Sequence, residues 1–278
     1  MRHLLIASVL AFAGCSHAPP ADRAVETTPS RATGSLPRQL RVVTFNLHGE
    51  PGSKIAPALR GDPALRDADL IILEEVHGHH GCSTACEIAR DLGFHAVFAP
   101  EFADRDGSDG VAIVSRTPIE SSQVIELPYF NVHVNDERRK AALAATVRVD
   151  GYPVTVYAVH LTNRLTVGQR ARQIAPVLAH ADRQTTPVIL AGDFNTSPFT
   201  WIGHLIPIPT GTQDDRLEEL VRAHGFQTPV ASSGATSHWL AMKLDGIYTR
   251  GFTTLAFATA DANDVSDHLA LWAELAAL

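Results

Sequence analysis

A chain of 278 residues with 45% hydrophobic and 19% charged side chains can bury the core of one large domain, which excludes disorder throughout. Its formal net charge of −7 gives no global basic field, so binding of nucleic acid through counterion release would need a local arginine patch. Lys54, Lys140 and Lys243 are the only lysines among 23 basic residues, and arginine carries nearly all the positive charge.

The chain opens with Arg2 and His3, an apolar run from Leu4 to Ala13, and then Gly14 and Cys15. This order predicts an export signal over residues 1–14. An apolar run of about ten residues is too short to cross a ~30 Å hydrocarbon core, so it is not a transmembrane helix. Phe12-Ala13-Gly14-Cys15 resembles a bacterial lipobox, with Phe12 where leucine is usual, and Cys15 is the expected lipidation site and membrane anchor. The competing reading is an ordinary secretory signal. Both place the protein outside the cytoplasm, in the periplasm or anchored at the outer membrane. Residues 15–37 are rich in Ala, Pro, Thr, Ser and Arg and have too little apolar content for a core, so they are read as a flexible tether. Residues 38–278 remain as a single domain.

Residues 40–45 and 69–73 are apolar and β-branched and predict buried strands, the second ending in Glu74-Glu75. Pro and Gly punctuate the stretch between them, which has room for a short helix. His77, His79 and His80 then precede Cys82 and Cys86. In an oxidising compartment the two cysteines predict a short-loop disulfide, since one helical turn brings Cα atoms within the ~7 Å limit. Imidazole with thiolate is the competing zinc reading. Residues 83–92 have helical spacing with Gly93 as the stop. Strands are predicted at 94–98, 110–115, 119–127, 141–149 and 154–160. The clearest helix covers 165–181, with Leu165, Val167, Ala171, Ile174, Val177, Leu178 and Ala181 on its apolar face and its arginines facing away. Further strands are predicted at 187–190, 244–248, 253–257 and 269–274. Trp201-Ile202 and Leu205-Ile206 are read mainly as core, with an apolar rim as the alternative. No fixed-period repeat is visible, and many strands with few, unevenly placed helices predict an α+β fold.

Several predicted strands end in an acid, amide or imidazole: Asn46, Glu74-Glu75, His160, Gly192-Asp193-Phe194-Asn195, Asp245 and Ser266-Asp267-His268. Singly, each is ordinarily a turn former, a helix cap or a hydrogen-bonded core histidine. Together they supply what phosphoester hydrolysis requires, because phosphate charge must be neutralised while a water is deprotonated and aimed in line. Carboxylate and amide oxygens suit Mg²⁺, which keeps several waters and takes one or two carboxylates from protein. Imidazoles donate to phosphate oxygens or move protons near neutral pH.

This ordered set resembles the endonuclease/exonuclease/phosphatase superfamily over about residues 41–271, most specifically through Gly192-Asp193-Phe194-Asn195 and Ser266-Asp267-His268. His160 after an apolar strand is similar to the deoxyribonuclease- and sphingomyelinase-like branch; repair-type members usually carry tyrosine there. The resemblance implies a four-layer α+β sandwich, two packed mixed β-sheets flanked by helices, and makes 38–278 a catalytic domain. It implies Glu75 as principal metal ligand with Asn46 and Asp267 beside it, and Glu74 where glutamine is common. Asp193 and Asn195 would orient water and phosphate, His160 and His268 would face the phosphate, and Asp245 would support an imidazole. The segment from Gly110 to Arg116 matches a packing strand. Arg139 and Asn163 are the candidate substrate contacts, with a solvated charge run as the other reading of Arg139. The implied reaction is hydrolysis of phosphodiester bonds with Mg²⁺, or Mn²⁺ or Ca²⁺ in its place. Nucleic acid is the first expected substrate, a sphingomyelin or phospholipid headgroup the second and a phosphomonoester the third. No protein partner is implied. A non-catalytic surface lipoprotein using the fold only for binding is the alternative of another class, and the intact acid, amide and imidazole set stands against it.

Overall fold

The computed structural model describes residues 25–28, 33–79, 81–104, 106–132, 138–210, 213–238 and 241–278. The expected export signal, Cys15, most of the tether and His80 lie outside the described residues. Among the described residues no helix is long and apolar enough to cross a membrane.

Period-2 alternation builds the first sheet. In β2 (Gln39–Asn46) and β3 (Leu70–Gly78), Val42, Leu70 and Ile72 point into the central core, while Val43, Phe45, Ile71 and Leu73 point outward to helices. With β1 (Glu26–Thr27), β4 (His95–Asp104), β5 (Gly107–Ser115), β13 (Phe252–Ala260) and β14 (Ala270–Ala277), they form a seven-stranded sheet of order β1-β4-β5-β3-β2-β14-β13. The second sheet joins β6 (Ser121–Glu126), β7 (Ala141–Val149), β8 (Tyr152–His160), β9 (Val188–Asp193) and β12 (Asp245–Arg250) in the order β12-β9-β8-β7-β6. Both sheets are mixed. Most pairs are antiparallel, but β2 runs parallel to β3 and β8 parallel to β9.

The two sheets pack face to face through Val42, Ile72, Ile113, Leu143, Val156, Ile189 and Ile247, all fully buried. Each such aliphatic side chain contributes about 1.5–3 kcal/mol relative to exposure. Helices α1 (Gly52–Gly61) and α2 (Thr84–Leu92) cover the outer face of the first sheet through Ile55, Leu59, Ile88 and Ala89. Helices α3 (Val167–Asp182) and α4 (Gln213–Ala223) cover the second through Ile174, Val177, Leu178, Leu217 and Val221. The result is the helix-sheet-sheet-helix sandwich that the resemblance implied. The helix starts have local causes: Ser83 Oγ caps α2 by accepting from Cys86 N, and Thr166 and Gln169 form a capping box at α3. Gly93 ends α2 in the left-handed region at φ 72°. Cys82 and Cys86 are joined by a disulfide with Cα atoms 5.3 Å apart, which removes both thiolates from the zinc reading.

Three expectations need correction. First, the described part of the tether is docked on the domain: Glu26–Thr27 pairs with β4, the Glu26 carboxylate accepts from Ser83 N and Oγ, and Leu36 is buried in the central core. Second, not every arginine of the third helix faces away. Arg170 is fully buried and donates to Phe194 O and Gln213 Oε1, and Gln213 donates to Phe199 O. This clamp holds the loop that follows β9. Third, Trp201-Ile202 and Leu205-Ile206 are not core. They belong to an antiparallel hairpin of β10 (Phe199–Ile202) and β11 (Ile206–Pro209) that projects outside both sheets.

Candidate active site

The C-terminal ends of the two parallel strand pairs meet at one edge of the sandwich, bounding a cleft of about 360 Å³. Gly192 makes that meeting close. Its φ is +148°, and a Cβ there would lie 1.9 Å from Val159 O, so only glycine lets β8 and β9 approach with His160 opposite Asp193. Asp193 sits at the seam. Its Oδ1 accepts from Asn195 N at 2.8 Å, and its Oδ2 accepts from Asn46 Nδ2 of the other sheet at 3.1 Å. The same Oδ2 faces His160 Nε2 at 3.6 Å and His268 Nε2 at 3.9 Å. Asn195, in the left-handed region at φ 51°, donates its side chain to Leu161 O at 2.9 Å.

Adjacent glutamates are sent in opposite directions by an irregularity in the β3–β5 ladder between Leu73 and Val76, where Glu75 takes φ 52°. Glu75 enters the cleft and accepts from Asn46 Nδ2 at 3.1 Å. Glu74 is buried, accepting from Thr44 Oγ1 at 2.9 Å, and its second oxygen has no protein partner. Burial, and then the charges of Asp245 and Asp193, push its carboxyl well above the usual range. Glutamine matches a protonated carboxyl in shape and carries no charge. Glu74→Gln is therefore expected to keep turnover within about threefold and to raise the melting temperature, as read by calorimetry.

Ser266 Oγ donates to Asn46 O at 2.7 Å and accepts from His268 N at 3.1 Å, tying the Asp267-His268 turn to the end of β2. His268 Nδ1 is 2.9 Å from Asp245 Oδ2. Burial opposes its charge, but Asp245, with Asp193 and Asp267 behind it, outweighs burial and raises His268 to about 10. His160 is the opposite case. Burial first, and then the Lys140 ammonium 2.9 Å from its Nδ1, hold it well below the ordinary histidine range.

Glu74, Glu75, Asp193, Asp245 and Asp267 crowd together, and burial followed by the Asp245 charge raises Asp193. A bound cation would offset that repulsion. Glu75 and Asp267 are its best holders: both are partly exposed on the cleft, both face the His48 ring (4.0 and 3.2 Å to Nδ1), and Asn46 adds an amide beside Glu75. Two carboxylates fit a hard divalent ion such as Mg²⁺, and Asn46 would join them through its amide oxygen only with its amide turned, since Oδ1 accepts from His48 N and Nδ2 faces Glu75. Asp193, Asp245 and His268 also bring one ligand atom each within 4.8 Å of one another. Because Asp245 already engages His268 Nδ1, that trio is better suited to handling protons than to holding the ion.

Asn46, Glu75, His160, Asp193, Asn195, Asp245, Asp267 and His268 are thus brought together, and Asn163 lines the cleft. Arg139 is one step removed. It lies over the Tyr129 ring at 5.4 Å, while its neighbours Arg138 and Lys140 line the cleft. Lys140 and Glu101 were not singled out from sequence. The one available signal for Glu101 is an acid set between Phe98 and Phe102 in an apolar stretch.

A sequence profile of the Endonuclease/Exonuclease/phosphatase family matches residues 43–268. No curated protein sequence matches the chain. Among solved structures the chain is similar to the endonuclease/exonuclease/phosphatase from Beutenbergia cavernae DSM 12333, with 21% identity and a TM-score of 0.67 over 86% of this chain and 72% of that one. It is also similar to sphingomyelinase C from Streptomyces griseocarneus, with 15% identity and a TM-score of 0.58 over 85% and 99%. A third likeness is to a 3′ phosphatase from Neisseria bound to a product DNA hairpin, with 17% identity and a TM-score of 0.59 over 84% and 98%. At these identities the likeness is one of fold.

Proposed function

The chain belongs to the endonuclease/exonuclease/phosphatase family of phosphoester hydrolases, and from that premise we propose that it is a divalent-metal-dependent phosphodiesterase acting on phospholipid headgroups at a membrane surface. Glu75, Asp267 and Asn46 would hold the ion, which would neutralise phosphate charge. Asp193, fixed through Asn195 N, takes the proton of the attacking water, for which its raised proton affinity suits it. His268, held in its charged form by Asp245, and His160 donate from Nε2 to phosphate oxygens.

The substrate class rests on the β10–β11 hairpin. Ile202, Leu205, Ile206 and Ile208 are 58%, 73%, 57% and 41% exposed, and Phe199 and Trp201 of the same hairpin line the cleft. An aliphatic ridge beside a phosphoester site suits the acyl boundary of a bilayer, and it offers nothing to a nucleic acid backbone. This ridge moves lipid ahead of nucleic acid in the expected order. Export, with anchoring through Cys15, would bring the cleft to such a surface. A second reading, nucleic acid, is favoured by arginines stacked on aromatic rings around the cleft: Arg139 on Tyr129, Arg164 on Trp201 and Arg172 on Phe130.

Hydrolysis of sphingomyelin and phospholipid vesicles, compared with plasmid DNA and RNA, tests the choice. For the double variant Leu205→Ser/Ile206→Ser, turnover of vesicles is expected to fall about tenfold or more while turnover of a small soluble phosphodiester is unchanged. Cleavage of DNA with no vesicle hydrolysis would reject the lipid reading.

A further inference from the structure

One lysine is buried among the acids and imidazoles of the cleft. Lys140 stands immediately before β7, its side chain 10% exposed. Its Nζ lies 3.0 Å from Glu101 Oε2 and 2.9 Å from His160 Nδ1, with the Phe102 ring 5.3 Å away. Glu101 belongs to β4 of the other sheet and is itself fixed, since its Oε1 accepts from Ala141 N at 3.0 Å. An ammonium group has three donors and no acceptor. His160 Nδ1 must therefore present its lone pair to Lys140, which leaves the ring proton on Nε2. That nitrogen faces the cleft, 3.6 Å from Asp193 Oδ2 and 4.0 Å from Glu75 Oε1.

We propose that Lys140 is a positioning residue that locks His160 in its Nε2–H tautomer, making this imidazole a fixed hydrogen-bond donor to a phosphate oxygen and never a proton acceptor at that nitrogen. The assignment of the phosphate as partner rests on the phosphoesterase reading of the site. His268 Nδ1 faces a carboxylate and so carries a proton, whereas His160 Nδ1 faces a cation and cannot. One imidazole is therefore anchored through its Nδ1 proton and the other through its Nδ1 lone pair. Glu101 keeps Lys140 in place from the opposite sheet.

Nitrogen NMR of the full chain with labelled histidine, with His160→Gln as the assignment control, reads the tautomer directly. The expected result is an unprotonated Nδ1 and a protonated Nε2 for His160. Removing Lys140 alone takes away one member of a buried ion pair and keeps the other, so the informative variant is Lys140→Met/Glu101→Gln, which removes both charges of the pair. It is expected to lose the single tautomer and to lower kcat on a soluble phosphodiester about 10- to 100-fold with KM within about threefold, the range typical of residues that orient a functional imidazole. Lys140→Arg keeps a donor and is expected to keep the tautomer. A protonated Nδ1 in the unaltered protein, or a double variant with unchanged tautomer and kcat, would overturn the proposal. The NMR readout needs no substrate. A protein with His160 locked but no phosphodiesterase activity would refute the functional reading and leave the Lys140 assignment standing.

Discussion

Replacing Asp193 by alanine is expected to lower kcat/KM by about three to five orders of magnitude. Asp193 bonds to Asn46 of the other sheet and faces both imidazoles, so it sits where an attacking water must be aimed. Asp193→Asn keeps the shape and the Asn195 contact but cannot accept the proton, and a loss of similar size is expected. The melting temperature should hold or rise in either variant, because a buried acid repelled by Asp245 is a stability cost in the metal-free protein. Steady-state rates on a generic phosphodiester, with a thermal melt as control, separate the two effects. A rate loss below tenfold in a folded Asp193→Ala protein would contradict the assignment.

Chelation of divalent ions is expected to abolish hydrolysis, by at least about a thousandfold, and Mg²⁺ to restore it. A second readout requires no turnover. An ion held at 100 times its dissociation constant stabilises the folded state by about 2.7 kcal/mol, so Mg²⁺ should raise the melting temperature of the unaltered protein. Glu75→Ala should abolish that shift, because Glu75 and Asp267 are the partly exposed carboxylates converging on one side of the cleft. Retention of the shift in Glu75→Ala would place the ion elsewhere.

The sequence was most legible where the determinants are local. Strand ends at Asn46, His160 and Asp193 follow directly from apolar runs that stop in a polar residue, whereas Glu75, read as a strand end, lies at an irregularity within β3, which runs on to Gly78; the Ser83 and Gly93 boundaries of α2 follow from capping chemistry. What stayed hidden depends on partners distant along the chain. Lys140 looks like the end of a solvated Glu-Arg-Arg-Lys run until Glu101, 39 residues earlier, is brought beside it by sheet packing. Arg170 counts as polar in any amphipathic reading of α3, yet it lies on the same face as Ile174 and Val177 and finds its acceptors at Phe194 and Gln213. The apolar content of β10 and β11 is that of core strands; Pro207 and Pro209 were the available warning, since proline is confined to unpartnered edges of a sheet. Leu36 escaped notice because one large side chain in a polar stretch carries no periodicity.

Strand β14 lies between β2 and β13, and Ser266, just before it, bonds to Asn46 across 220 residues. That order sets a sequence of events for the folding chain. Closing so long a loop costs entropy before its contacts reward it, so the docking of the Asp267-His268 turn is expected to follow the local pairing of β2, β3, α1 and α2. Before that docking the site would lack two of its side chains. In a refolding experiment, hydrolysis would lag behind the recovery of secondary structure by the time taken for this last pairing, and the site would act as a reporter of completed folding.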